Sequence, residues 1–123
     1  KYIYIGKAER SIKKRLDQEL EHKSPGTFFR SIGCVLGYLP MRGHLAGKVN
    51  QNNFKFSKSD TEKIIDWLRR NIEVSIVAYD DNFNSIEGML IKKYTPLLNM
   101  SKNPLKLKDL VEDRKRCKKI AGE

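Results

Sequence analysis

The sequence predicts one α/β domain with a small sheet. Apolar residues recur at three- and four-residue intervals in several stretches, the spacing of helices buried on one face, and two short stretches have the aromatic and β-branched content of strands. A length of 123 residues accommodates one hydrophobic core rather than two, and an apolar content of 39% supplies the material for it.

Lys1 to Gly6 reads as a strand with Tyr2 and Tyr4 on one face and Ile3 and Ile5 on the other; Gly6 ends it. Arg10 to Glu21 turns helical, because Ile12, Leu16 and Leu20 repeat as an apolar stripe with Arg15 and Glu19 beside it. Lys23 to Gly26, with Pro25 inside it, breaks the run. A second helix follows and offers Phe28, Phe29, Ile32, Val35 and Leu36 for burial, and the glycines, Pro40 and amides of Gly37 to Asn53 mark a loop. Phe54 and Phe56 alternate with Lys55 ahead of Ser59 and Glu62, which have the spacing of a capping box, so a helix is expected from there to about Asn71. Ile64, Ile65, Leu68 and Trp67 supply its inner side. Glu73 to Tyr79 is the second strand, expected to be covered on both faces, and Asp80 and Asp81 end it. A helix over residues 83–94 carries Ile86, Leu90 and Ile91, and Pro96 limits it through its ring and missing donor. The last helix, from about Lys106 to Ile120, brings Leu107, Leu110 and Val111 to the body and carries Arg114, Lys115, Arg116, Lys118 and Lys119.

The 25 Lys and Arg residues against 15 Asp and Glu give a formal net charge of +10, which attracts polyanions and makes such binding salt-dependent. Residues 1–30 hold eight basic and four acidic side chains, as do residues 101–123, so the charge is not one detachable tail. Cys34 and Cys117 lie far apart without a Cys-x-x-Cys pair, which removes support for a zinc knuckle or a thioredoxin-type site and fits a reducing compartment. With no signal-peptide pattern and no apolar stretch near the roughly 20 residues of a membrane span, a soluble cytoplasmic protein is expected. The chain begins with Lys1 inside an apolar aromatic run, and an upstream element is expected to precede it.

Glu87 lies beside Ile86 and three and four residues before Leu90 and Ile91, at the border of a buried stripe, where a fixed carboxylate could ligate a hard cation such as Mg²⁺. An ordinary surface glutamate is the competing reading. Arg15 has the same relation to Ile12 and Leu16; it suits a phosphate, and equally a local partner in Asp17 or Glu19. Tyr4 stands before the strand-to-helix turn at Gly6 and Lys7, where a phenol can reach water or phosphate or simply pack. His22 and His44 have no metal-ligand spacing, no Ser-His-Asp arrangement can be inferred, and Gly6-Lys7 lacks the longer pattern of a P-loop.

These residues resemble the GIY-YIG nuclease family. Tyr4-Ile-Gly6-Lys-Ala is similar to its second signature strand and turn, Ser11-Ile-Lys-Lys-Arg15-Leu to the following helix with its arginine, Ile86-Glu87-Gly-Met-Leu-Ile-Lys-Lys-Tyr94 to the later helix with its glutamate, and Pro96-Leu-Leu-Asn99 to the motif after it. The order and spacing of these motifs together carry the likeness, and Thr27 to Gly33 and Asn53 to Phe56 resemble the intervening region of certain standalone members. The resemblance implies a small antiparallel sheet flanked by helices over residues 1–103, with residues 104–123 as a basic C-terminal helix or tail. It also implies a metal-dependent endonuclease acting on double-stranded DNA, in which Glu87 holds Mg²⁺ or Mn²⁺, Arg15 holds the phosphate, and Tyr4 orients or helps to activate water. Asn99 would tie the segment after the last core helix to the site without touching the reacting groups. Lys7, Lys13, Lys14, Arg30, Arg114, Lys115, Arg116, Lys118 and Lys119 are the expected DNA contacts. The family's first signature strand, with the tyrosine preferred as general base, should precede Tyr2, and Tyr2 shares a face with Tyr4. Where the family often has a histidine one turn after the arginine, this chain has Glu19, with His22 nearby. An inactive DNA-binding relative and an RNA-binding or protein-interaction module are the alternative readings.

Overall fold

The computed structural model describes residues 2–22, 26–78 and 82–123. Lys1, the break expected at 23–25 and the strand end expected at 79–81 lie outside them. The described residues form five helices in the order α1 (Ile12–Leu20), α2 (Thr27–Val35), α3 (Lys58–Asn71), α4 (Phe83–Tyr94) and α5 (Lys108–Gly122).

The α/β expectation is overturned: among the described residues there is no strand and no antiparallel sheet. Strand-forming composition produces a strand only when a neighbouring backbone supplies a ladder. The segment at residues 2–6 instead finds one main-chain bond, from Leu98 N–H to the Ile3 carbonyl at 2.8 Å, and a side-chain amide, that of Asn99, which serves both the N–H and the carbonyl of Ile5 at 2.9 and 2.8 Å. Residues 72–78 have no ladder, and the expectation that they are covered on both faces also fails, because Val74, Ile76 and Val77 are exposed.

The helices lie close to where the periodicity places them, although Ile12, Val35 and Leu107, expected to be buried, are exposed. Ser11 caps α1 by accepting from the Lys14 N–H at 3.2 Å. The capping serine of α3 is Ser57, which accepts from Asp60 N–H at 3.1 Å, two residues earlier than the Ser59 and Glu62 spacing suggested. α2 forms the centre: Phe28 through Cys34 are all buried. Around it pack Phe54 and Phe56, Ile64 and Leu68 of α3, Leu98, and Leu110, Cys117 and Ala121 of α5. A β-carbon at Gly33 would lie 2.4 Å from the Phe56 ring, so only glycine lets that ring close on α2. The loop before α3 also closes the end of α5, since the N–H groups of Gly43 and Leu45 donate to the carbonyls of Ile120 and Ala121 at 2.9 and 2.8 Å. The C-terminal helix therefore shares the core of the body. Cys34 and Cys117, 83 residues apart in sequence, meet in it with their sulfurs 3.1 Å apart as free thiols.

Candidate active site

The site is built around the 2–6 segment. The bonds from Leu98 and Asn99 hold the backbone at Ile3 and Ile5, which fixes Tyr4 between them, and the Tyr4 ring packs on Phe28 with centroids 4.9 Å apart. Asn99 is buried and bonded reciprocally to the backbone of Ile5. Its own carbonyl accepts from the side chain of buried Asn103, which also bonds the Pro96 carbonyl, both at 2.9 Å, so a second asparagine sets the turn that carries Asn99. Tyr2 stacks against Tyr94 at 4.9 Å and places the end of α4 beside the same segment.

Arg15 reaches Tyr4 from α1: its Nη2 donates to the phenol oxygen at 3.3 Å and lies 3.0 Å from Oε2 of Glu19. Gly6 makes room for this pair, because a β-carbon there would sit 2.9 Å from the Tyr4 ring and 3.5 Å from Arg15 Nη2. Glu19 is the residue that sequence reasoning passed over. The stripe of Ile12, Leu16 and Leu20 pointed to another face, yet Ile12 is exposed and the buried residue of α1 is Glu19, at 5% exposure. Its Oε1 accepts the Phe28 N–H at the start of α2, at 3.1 Å, and its carboxylate suits the positive end of that helix. Gly26 provides the space, since a β-carbon there would come within 2.1 Å of Glu19 Oε1. The one available signal was the spacing of four residues from Arg15, which joins the two on one helical face.

Burial, and then the charge of Glu19, push the Tyr4 phenol up to about 12; Arg15 pulls the other way and Glu87 adds to the rise. Glu87, from α4, therefore shares Tyr4's electrostatic surroundings although the chain separates them widely. Its side chain is 16% exposed, and its Oε1 is 3.2 Å from Lys102 Nζ, the ammonium of a residue in the left-handed region at φ 64°. Lys7 bridges Glu9, at 3.0 Å, and Asn84 near the start of α4. Tyr4 and Arg15 are in contact, whereas the side-chain contact of Glu87 is Lys102; Glu87 lies on α4, whose Asn84 and Tyr94 meet Lys7 and Tyr2 on either side of Tyr4.

The remaining basic candidates divide by environment. Lys13 and Lys14 are exposed on α1, Lys13 being 3.1 Å from Asp17. Lys115, Arg116, Lys118 and Lys119 are exposed on α5, where Lys115 and Arg116 pair with Glu112 and Asp113 at 3.5 and 3.1 Å. Arg30 and Arg114 belong elsewhere: Arg30 is 5% exposed inside the body, and half-buried Arg114 donates to Ser31 Oγ at 2.8 Å and to the Thr27 carbonyl at 3.3 Å. His22 is buried, stacked on Phe29 at 4.3 Å, and away from Tyr4's contacts. Among the described residues no cluster of three or more His, Cys, Asp or Glu side chains is placed to hold a metal, and no helix is long and apolar enough to cross a membrane.

No curated protein and no solved structure matches the chain. A family model described as the GIY-YIG catalytic domain matches residues 1–119 and so takes in the Tyr4 segment, Arg15 on α1, Glu87 on α4 and most of α5. With almost the whole sequence inside that match, the chain belongs to the GIY-YIG catalytic domain family, and its function is of the nuclease type.

Proposed function

We propose that this chain is a divalent-metal-dependent endonuclease that hydrolyses phosphodiester bonds in double-stranded DNA. The observation that carries the reading is the contact of Arg15 with Tyr4 at 3.3 Å, with Glu87 among the charges that Tyr4 senses. Arg15 also keeps a buried Nε without a hydrogen-bond partner. An arginine with an unfilled donor beside a phenol suits a phosphate, whose oxygens accept from the guanidinium fork. The guanidinium would then hold the phosphate and stabilise the negative charge that develops on it.

Glu87 is the residue that would hold Mg²⁺ or Mn²⁺. The donor chemistry fits: a hard cation of this kind is commonly held by one or two carboxylates, with water and substrate oxygens completing its shell, so a multi-residue cage is not required. When bound, such an ion supplies Lewis-acid stabilisation of phosphate oxygens. With its pKa near 12, Tyr4 keeps its proton at neutral pH, so its role in this arrangement is to orient water or a phosphate oxygen through its hydroxyl. Exposed Lys13, Lys14 and the α5 cations would position the duplex through its backbone.

One contact favours the second reading, an inactive DNA binder of the same fold: Lys102 neutralises Glu87 at 3.2 Å. The two separate in a cleavage assay on plasmid and short duplex DNA with Mg²⁺, Mn²⁺ or a chelator. Metal-dependent scission that disappears in Glu87→Gln, while duplex binding persists, supports the nuclease. Binding without scission under every metal condition supports the binder.

A further inference from the structure

Arg30 of α2 and Arg114 of α5 share one aromatic ring, with guanidinium carbons 5.8 and 5.5 Å from the centroid of Phe54. Arg30 is 5% exposed, and its Nε and Nη1 are buried with no hydrogen-bond partner. Arg114 spends one nitrogen on Ser31 and Thr27, and its Nε is likewise buried and unpartnered. Among the described residues neither forms a salt bridge with a carboxylate. Burial is the first cause disfavouring both charges, and the charge of Arg114 is the next cause acting on Arg30. Glu19 offsets this only in part, because its two oxygens already serve Arg15 and the Phe28 N–H. The ring attracts both cations through its face, but it accepts none of the in-plane N–H groups.

A buried guanidinium with empty donors beside a second, half-buried one is unfavourable unless an anion joins them. The anion that suits the fork of an arginine and offers several acceptor oxygens is a phosphate. Arg114 donates to the carbonyl of exposed Thr27, and the next residue, Phe28, gives its N–H to Glu19 and its ring to Tyr4, which places the pair beside the Tyr4–Arg15 site. We propose that Arg30 and Arg114 form a second phosphate-binding position, adjacent to Tyr4, Arg15 and Glu19, which takes a neighbouring phosphate of the nucleic-acid strand presented for cleavage. The nucleic-acid source of that phosphate rests on the nuclease reading; the anion site does not.

The test is thermal unfolding of the full chain in inorganic phosphate against chloride at matched ionic strength and pH 7. A saturable rise in the midpoint of about 4 °C or more is expected at phosphate well above its Kd. In an Arg15→Gln background, which removes the other phosphate position, Arg30→Met and Arg114→Met should each remove the rise, whereas Lys118→Met, an exposed cation on the same helix as Arg114, should keep it. Arg30→Lys, which retains the charge and loses the fork, should weaken phosphate at least tenfold. Absence of a saturable rise in the wild type overturns the site whether or not the methionine variants fold, as does a rise that survives in Arg30→Met with Arg15→Gln. A thymidine dinucleotide and its uncharged methylphosphonate analogue then distinguish the sources. Binding of the charged dinucleotide alone supports a strand phosphate, and binding of free phosphate but neither dinucleotide overturns that part. No arm uses cleavage, so a failed nuclease assay leaves the phosphate result intact.

Discussion

Glu19→Gln is the most informative single change, because it removes a charge at the centre of the site while keeping the shape. The Gln side chain retains an oxygen to accept the Phe28 N–H now bonded at 3.1 Å. What disappears is the anion 3.0 Å from Arg15, which also raises the Tyr4 phenol. Tyr4 rises from 10.0 to about 12. At about 1.4 kcal/mol for each pKa unit, that rise favours the neutral phenol by ~3 kcal/mol. Burial, the largest cause, is untouched by an isosteric change, so only the Glu19 share is lost, and with Arg15 then unopposed the phenol should titrate below its wild-type pH. The sign carries into stability. A phenol whose folded pKa is raised makes its contribution in full below pH 10 and loses it as the pH climbs toward about 12, so Glu19→Gln should narrow that window from the top.

The assay is NMR titration of ring-13C-labelled tyrosine, with Tyr4→Phe assigning the resonance. Gly26→Ala is the companion variant: a β-carbon 2.1 Å from Glu19 Oε1 and 2.6 Å from the Gln18 carbonyl must displace the carboxylate and the end of α1 without removing the charge, and in a variant shown to fold it should shift Tyr4 the same way. A purely structural Glu19 would alter stability and leave the Tyr4 titration in place. If the Tyr4 resonance in Glu19→Gln titrates at or above its wild-type pH, the electrostatic arrangement of Glu19, Arg15 and Tyr4 is wrong.

Four further outcomes are expected. Glu87→Gln should abolish single-turnover cleavage at saturating protein while leaving initial duplex binding largely intact; full cleavage would remove Glu87 from the chemistry. Asn99→Ala deletes both bonds to Ile5 and should cost about 2 kcal/mol in denaturant unfolding, a loss that a near-neutral result would contradict. Burial, and then Lys55 and Arg30, lower His22 to about 4, so its neutral ring contributes fully above pH 6.5 and that contribution, up to ~3 kcal/mol, is lost as the pH falls toward about 4. His22→Asn, which tolerates the left-handed φ of 54°, should therefore flatten the acid limb of a stability profile. Neutralising exposed Lys115, Arg116, Lys118 and Lys119, with half-buried Arg114 left in place to protect the fold, should lower the salt slope of duplex binding by up to about 0.9 for each phosphate no longer neutralised.

The helices were legible because each carries its own periodic signal. The span of α4 agrees with the sequence expectation at both ends, and α3 differs only in which serine caps it, since Ser57 and Ser59 both offer a hydroxyl near the first turn. The strands were not legible in the same sense. A helix closes its hydrogen bonds within its own segment, whereas a strand depends on a neighbour that its own residues do not encode. Tyr2 to Gly6 has strand composition, yet its backbone is satisfied by a turn residue and by the amide of Asn99, and nothing in the alternation of Tyr and Ile distinguishes those partners from a ladder.

The same distinction explains the site. Tyr4, Arg15 and Glu87 were singled out through motifs that tolerate ignorance of the fold. Glu19 and Arg30 needed the fold itself, because an apolar-stripe reading assigns charged residues to the surface. Both violate that rule, at 5% exposure each, and the violation is informative only when their surroundings are known. Glu19 is buried with Oε1 bonded at a helix N-terminus and Oε2 ion-paired with Arg15, although Oε2 has no hydrogen-bond partner of its own. Arg30 is buried with donors empty. Cation–π contact with Phe54 lessens the cost of its charge but leaves those donors unfilled, so the difference between the two buried charges lies in their ionic partners: Glu19 meets a cation of the chain itself, whereas among the described residues no carboxylate forms a salt bridge with Arg30.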